Sequence, residues 1–237
     1  MIVCAPDMTP GIAEKFGVQP CLIISLSRDN LDNPEAYRMW RLADVGLTIA
    51  KSGNVPLARY LTLIRRARAQ WAIVPDVFGD FRQTLAMWFR QSRLISRFTA
   101  PIFVAQEFYR ARVVDTVLEL WRMRLVERVA LPMRQHPDVS CSREPRLCAE
   151  RAERVLRVLC GVVTHIHLLG PSLRAVKMLH NALADCERQD TLISLDTSAY
   201  RLSPNAEVKQ RLGGRRMPRN RSDAVMMLEA WLRQALL

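Results

Sequence analysis

Short apolar runs alternate with longer amphipathic segments along most of the chain. The short runs are almost continuously apolar, which is typical of strands buried on both faces of a parallel sheet. We therefore predict eight strands, at residues 2–5, 21–26, 46–50, 71–75, 102–106, 129–132, 166–170 and 192–196.

The segments between these runs place their apolar residues at helical spacing, as Leu85, Trp88 and Ile95 show. Asn33 is a good N-cap before one segment, and Pro56 opens another, where its missing N–H costs nothing. The pattern predicts helices at 34–45, 56–70, 80–98, 110–125, 144–160, 172–187 and 222–236, with a short helix at 9–16.

Eight strands that alternate with helices in 237 residues indicate an α/β fold of the (β/α)8 TIM-type barrel class. We expect one domain over residues 1–237, with a basic loop at 205–221 after the eighth strand. A doubly wound open sheet is the alternative, although it usually uses fewer strands. In the barrel, functional residues are expected at the carboxyl ends of the strands.

Composition and termini indicate a globular protein inside the cell. Apolar residues make up 49% and charged residues 24%, which is ordinary for a globular domain. The longest apolar runs fall far short of the roughly 18–20 residues that a membrane span needs. The first ten residues show no basic region followed by a long apolar one, so we expect no signal peptide, no membrane and a cytoplasmic location.

The charge balance is strongly basic. The formal net charge is +12, and only four of the 35 basic residues are lysines. Arginine offers a planar fork that binds phosphate in a bidentate manner, so the surplus favours a polyanionic partner. The alternative is that the charges are scattered over solvated helix faces.

The six cysteines contain no CxxC pair and no spacing typical of a zinc site. Cys4, Cys21 and Cys160 lie in apolar surroundings and are interpreted as small core residues. Cys141 and Cys148 flank a polar loop and could pair, but spacing alone does not decide it.

His165 and His167 share one face of the predicted seventh strand. A metal site would need further histidines at other strand ends, and only His136 lies near one. We therefore predict packed core histidines with satisfied nitrogens, and no metal.

Polar residues end several of the predicted strands. Asp76, Gln106 and Asp196 end strands four, five and eight, while strand seven ends in the small residues Gly170–Ser172. Two carboxylates at one rim suit glycosyl chemistry, in which one attacks an anomeric carbon and the other manages the proton of the leaving group. The alternative is that each Asp caps a turn and that Ser172 caps the next helix.

The densest basic run lies after the eighth strand and should therefore emerge at the same rim. Glycines within it let the backbone approach a partner closely, and each phosphate contact would add salt-sensitive affinity. A flexible, solvated loop is the alternative. The predicted nucleic-acid-binding residues are Lys209, Arg211, Arg215, Arg216, Arg219 and Arg221.

Four segments, in the same order along the chain, resemble the tRNA-guanine transglycosylase superfamily, and most of all its small DpdA-like members. These segments are Trp71–Leu85, Phe103–Gln106, His167–Ser172 and Ser194–Tyr200. The resemblance covers roughly residues 71–221 and implies exchange of guanine for a 7-deazaguanine base in DNA or tRNA.

The resemblance also implies roles for individual residues. Asp196 matches the nucleophile that attacks C1′ of the target guanosine, and Asp76 is the second catalytic candidate. The residues expected to contact the base are Gln106, Gly170, Pro132, Met133 and Ser52.

Several features depart from the family pattern. Where an Asp usually precedes a Ser-Gly pair, this chain has Lys51 before Ser52, and the cysteine-rich zinc site is absent. Alternatives are therefore a nucleic-acid-binding barrel without catalysis, or an enzyme of a small phosphorylated metabolite with Gly170–Ser172 as a phosphate cradle. A homodimer or a partner protein is also possible, and no cofactor is expected.

Overall fold

Eight parallel strands form a closed barrel in chain order, because β1 pairs with β2 on one side and with β8 on the other. The computed structural model describes residues 1–5, 7–26, 39–45, 55–133, 145–196 and 221–236. The strands are β1 (Ile2–Cys4), β2 (Gln19–Ser25), β3 (Trp40–Asp44), β4 (Trp71–Ile73), β5 (Ala100–Val104), β6 (Arg128–Pro132), β7 (His165–Leu169) and β8 (Leu192–Asp196). The predicted (β/α)8 barrel is confirmed.

Seven helices alternate with these strands in the described ranges. They are α1 (Pro10–Lys15), α2 (Leu57–Ala67), α3 (Phe81–Ile95), α4 (Ala111–Arg122), α5 (Pro145–Leu159), α6 (Leu173–Arg188) and α7 (Arg221–Leu236). Each overlaps a helix predicted from the sequence. Within the same ranges, no helix has both the length and the apolar character that a membrane crossing requires.

The core has two layers, because successive side chains of a strand point to opposite faces. One cluster fills the barrel interior and contains Ile2, Cys4, Cys21, Leu42, Trp71, Ile73, Ile102, Val104 and Ala130. The other lies between the barrel and the helices and includes Val3, Leu22, Ala43, Ile166, Ile193 and Leu195. Leu42 and Ala43 are chain neighbours in different layers, so the parity of a residue decides which layer it enters.

The third strand differs from its prediction. Residues 40–44 were expected at the end of a helix over 34–45, but they pair with β2 and β4 as a strand. The remainder of that helix and the predicted strand 46–50 lie outside the described residues. The reason is tertiary: the side chain of Arg41 is buried and donates to the carbonyl oxygens of Arg68, at 3.2 and 3.0 Å, and Met39, at 3.1 Å. A charged residue that interrupts an apolar run is satisfied here by a local carbonyl, that of Met39, and by a distant one, that of Arg68.

Two of the three predicted core cysteines are confirmed as buried thiols, since Cys4 and Cys21 face each other across β1 and β2. Cys160 is also buried in the core, as predicted, but it is not a free thiol, because its sulfur is bonded to that of Cys186, with the Cα atoms 4.9 Å apart. This disulfide joins the C-terminal ends of α5 and α6. Cys141, the other half of the pairing considered with Cys148, lies outside the described residues.

Tyr60 ties α2 to the barrel. Its buried hydroxyl lies 2.9 Å from the carbonyl oxygen of Ala43 and 2.7 Å from that of Ile73, at neighbouring positions of β3 and β4. Tyr60→Phe should lower the free energy of unfolding by about 1–2 kcal/mol, because buried acceptors lose their donor. Urea denaturation measures the loss.

Thr62→Val is the matched control, since among the described residues its hydroxyl bonds only to the carbonyl oxygen of Ala58, within an exposed turn of the same helix. It should change stability by less than about 0.5 kcal/mol. Equal losses in the two variants would contradict the role assigned to the Tyr60 hydroxyl.

Candidate active site

Asp76 follows β4 at the carboxyl rim of the barrel and is largely buried. Burial raises its pKa from 3.8 to about 6, and the nearby negative charge of Asp44 adds to the rise. A hydrogen bond from Nε2 of Gln106 to Oδ2 of Asp76, at 2.5 Å, opposes it by stabilising the charged form. This carboxyl can therefore hold or release a proton near neutral pH.

Gln106 links the end of β5 to the loop that carries Asp76. Its Oε1 accepts from the backbone N–H of Gly79, at 3.1 Å, while its Nε2 donates to Asp76. The side chain is only 2% exposed. The sequence suggested that Gln106 contacts a base, and the contacts that the structure gives it are with Asp76 and Gly79. Its amide therefore orients the Asp76 carboxylate.

The loop after Asp76 is held at both ends. The hydroxyl of Thr84 accepts from the backbone N–H of Val77, at 3.0 Å, and donates to the Val77 carbonyl, at 3.1 Å. Asp80 caps α3 by accepting from the N–H of Gln83, at 2.8 Å. Gly79, with φ of 71°, adopts a conformation that residues with a Cβ rarely do. These bonds fix the backbone of the loop that follows Asp76, so its side chain projects from a rigid segment.

Asp196 ends β8 beside the barrel closure, opposite Cys4 of β1. Its Oδ1 accepts a hydrogen bond from the backbone N–H of Gly170, which follows β7. Gly170 has φ of 59°, a left-handed conformation that favours glycine and aims the N–H at the carboxylate. The bond stabilises negative charge on this oxygen and sets its direction. Ser172 caps α6 through a bond from Ala175, at 3.1 Å, as its alternative interpretation expected.

Asp44 is a rim carboxylate that sequence reasoning missed. It ends β3 and shares the inward parity of Leu42, and its charge raises the pKa of Asp76. The sequence comparison placed this strand end near Lys51 and inferred a missing acidic residue. The third strand instead ends at Asp44, so a carboxylate does stand at its carboxyl end. The sequence feature that could have indicated this strand end is the short run Leu42–Val45, in which Asp44 follows two apolar residues.

The other predicted base-contacting residues are divided between rim and core. Pro132 ends β6 and is partly exposed at the rim. Met133 is completely buried in the outer core layer, and its N–H donates to the carbonyl of Leu169, at 2.9 Å. It therefore packs the core rather than facing the rim. Ser52 and Lys51 lie outside the described residues.

The predicted basic loop also lies outside the described residues, apart from Arg221, which begins α7. The predicted nucleic-acid-binding residues that lie outside the described part of the chain are Lys209, Arg211, Arg215, Arg216 and Arg219.

His165 and His167 are buried in the barrel, as predicted, and share a single hydroxyl. Oγ of Ser194 lies 2.6 Å from Nε2 of His165 and 2.7 Å from Nδ1 of His167. Burial lowers the pKa of His165 to about 3, with the charge of Arg128 adding to the effect, and lowers that of His167 well below its usual value. The expectation that all ring nitrogens are satisfied is not met, because one nitrogen of each ring has no hydrogen-bond partner among the described residues.

The described residues thus bring Asp44, Asp76 and Asp196 to the same rim of a (β/α)8 barrel. Each carboxylate follows or ends a different strand, which is the arrangement by which this fold builds active sites. No family model matches this chain, and no curated protein matches it. Its function is therefore argued from the chemistry of the rim.

The raised pKa of Asp76 predicts a pH dependence of stability. The folded state binds the Asp76 proton more tightly than the unfolded state, so stability should fall as pH rises from about 4 to about 6. Asp76→Asn should remove this contribution, and should therefore gain up to about 3 kcal/mol relative to the wild type between these pH values. Urea denaturation at several pH values measures the difference.

Asp115→Asn is the control, because Asp115 is exposed on α4. Its stability curve should run parallel to that of the wild type. If the curve of Asp76→Asn also runs parallel to the wild type, the carboxyl does not titrate as described.

Proposed function

We propose that this protein is a transglycosylase that removes guanine from a nucleic acid and inserts a 7-deazaguanine base through a covalent Asp196–glycosyl intermediate. The observation that carries the proposal is the pair of rim carboxylates in unlike environments. Asp196 accepts a backbone N–H, while burial raises the pKa of Asp76 to about 6. Such a difference divides two carboxyl groups between nucleophile and proton carrier.

In the first step, an oxygen of the Asp196 carboxylate attacks C1′ of the target nucleoside. A C1′–O bond forms as the C1′–N9 bond breaks, and its electron pair leaves with guanine. Protonated Asp76 supplies the proton that the departing base requires. The Gly170 N–H holds the attacking carboxylate in one direction, which reduces the reorientation that the attack needs.

The second step reverses these roles with a different base. The incoming 7-deazaguanine gives its ring N–H proton to the Asp76 carboxylate, and its nitrogen attacks C1′. The C1′–O bond to Asp196 breaks, and the carboxylate is regenerated. The cycle consumes no net proton, and Asp76 returns to the protonated form in which it began.

Asp44 supports recognition of guanine over other bases. The N1–H and 2-amino groups of guanine are donors, and a carboxylate accepts from both. Asp44 is a rim carboxylate whose charge is close enough to affect Asp76. The presence of Asp44 at the rim also weakens the alternative of a barrel without catalysis, because that alternative rested on a missing acidic residue.

The charge of the whole chain supports a nucleic-acid substrate. A net charge of +12 attracts a phosphate backbone, and the target base must leave its stack to reach groups at a barrel rim. DNA and tRNA are both candidate substrates, and such chemistry fits a cytoplasmic protein. A small phosphorylated metabolite carries far fewer negative charges than a nucleic-acid backbone, so it accounts for less of this surplus.

The deciding experiment mixes purified protein with DNA or tRNA that carries radiolabelled guanine, and adds a 7-deazaguanine such as preQ0. The wild type should release label from one of the two, which identifies the substrate class. Asp196→Asn should reduce release to background while its circular dichroism spectrum and melting temperature remain those of a folded barrel, because an amide is a poor nucleophile.

Asp190→Asn removes the same charge in the turn between α6 and β8, at the end of the barrel opposite the rim, and should keep wild-type release. Release by Asp196→Asn at the wild-type rate would overturn the proposal. Binding of nucleic acid with no release by the wild type would favour a non-catalytic binding barrel, and no binding at all would favour the metabolite enzyme.

A further inference from the structure

Five successive helices, α2 to α6, carry an arginine in their first turn and no acidic residue there. All five side chains are exposed. We call them the rim arginines: Arg59, Arg82, Arg112, Arg146 and Arg174.

The barrel topology places the rim arginines around one opening. In a closed barrel of parallel strands, each helix begins near the carboxyl end of the strand before it. The first turns of α2 to α6 therefore surround the rim that carries Asp44, Asp76 and Asp196. The arginines follow the circumference from the end of β3 to the end of β7.

Arginine at these positions opposes the helix dipole. The first turn of a helix is its positive end, where acidic residues are favoured and cations are disfavoured. At the opposite ends of the same helices, the last turns also carry arginine, and there the dipole favours it. A general surplus of arginine accounts for the favoured ends, but it does not explain why five first turns lack any acidic residue.

Ion pairing leaves three of the rim arginines available to a ligand. Arg146 pairs with Glu150 on the same helix, at 2.9 Å. Arg59, Arg112 and Arg174 form no ion pair with any residue that the structure describes. These three are therefore the rim arginines to test.

A cavity of about 360 Å³ adjoins this surface. It lies beside the end of β2, and Arg59, Thr62 and Arg66 of α2 line it together with Ser25. The two guanidinium groups carry N–H donors of the kind that phosphate oxygens accept, and they lie beside the apolar side chains of Leu26 and Leu63. The cavity therefore adds a concave basic feature next to the first of the rim arginines.

We propose that the rim arginines hold the phosphate backbone of a nucleic acid across the mouth of the barrel. Closely spaced phosphates match a circumference of separate guanidinium groups, each able to bind in a bidentate manner. The proposal deepens the proposed function and rests on it for the class of partner. Its test is scored by binding alone, without base exchange.

The test compares two triple variants that remove the same charge. Arg59→Gln, Arg112→Gln and Arg174→Gln together remove the rim arginines that form no ion pair within the described part of the chain. Binding of a short fluorescent DNA duplex, its single strand and a tRNA is measured by anisotropy over a range of salt concentrations. The rim variant should bind its preferred nucleic acid about 10- to 100-fold more weakly, and the slope of log affinity against log salt should fall by about 2–3.

The matched control combines Arg93→Gln, Arg97→Gln and Arg122→Gln, which are exposed at the far ends of α3 and α4. It should keep affinity within about threefold and the wild-type salt slope, because these residues lie away from the mouth. The melting temperature gives a second readout. It should be unchanged or raised in the rim variant, and lowered in the control, since only the control loses favourable interactions with helix dipoles.

Equal weakening in both variants would overturn the proposal, because it would show attraction by net charge alone. Unchanged affinity in the rim variant, or no binding by the wild type, would also overturn it. Loss of binding in the rim variant together with no base exchange by the wild type would uphold the surface and reject the proposed chemistry, so the two failures are distinguishable.

Discussion

Closure of the barrel is the constraint on which the rest of the structure depends. Cys4 is opposite Cys21 of β2 on one side and Asp196 of β8 on the other, so β1 closes the sheet by pairing with both its successor and the last strand. Once eight parallel strands close, every second residue must enter the barrel, and the carboxyl ends must meet at one rim. The parity that buries Leu195 outside the barrel therefore turns Ser194 and Asp196 inward.

The same constraint makes the middle of the barrel a place for polar groups without charge. Ser194 and the two histidines of β7 share hydrogen bonds there, and burial keeps both imidazoles neutral because a charge in this interior has little solvation. Asp196 has the same inward parity as Ser194, but it lies at the rim and not in the interior because β8 ends at this residue. On β3 and β8, a carboxylate occupies the last inward position of the strand.

Patterns local in sequence predicted most of this fold. β8 occupies the predicted residues, since an apolar run ending in Asp is readable without tertiary knowledge. β3 was missed because Arg41 interrupts it, and the burial of that arginine depends in part on the carbonyl oxygen of Arg68, which is distant in sequence. That error hid Asp44, the rim carboxylate. The bond between Cys160 and Cys186 was missed for a similar reason, because proximity of two helix ends is a property of the closed barrel.

The rim combines an acidic centre with a basic circumference, and the two zones have different physical origins. The carboxylates lie at strand ends, where burial and mutual repulsion raise the pKa of Asp76, whereas the arginines lie on exposed first turns of the surrounding helices. Under the proposed function, the acidic centre and the basic circumference bind different parts of one nucleic-acid substrate. Phosphates are attracted to the circumference and repelled from the centre, while an uncharged base can enter among the carboxylates. Protonation of Asp76 near neutral pH lowers the negative charge that such a base would meet, so the electrostatics that place the backbone outside also favour entry of the base.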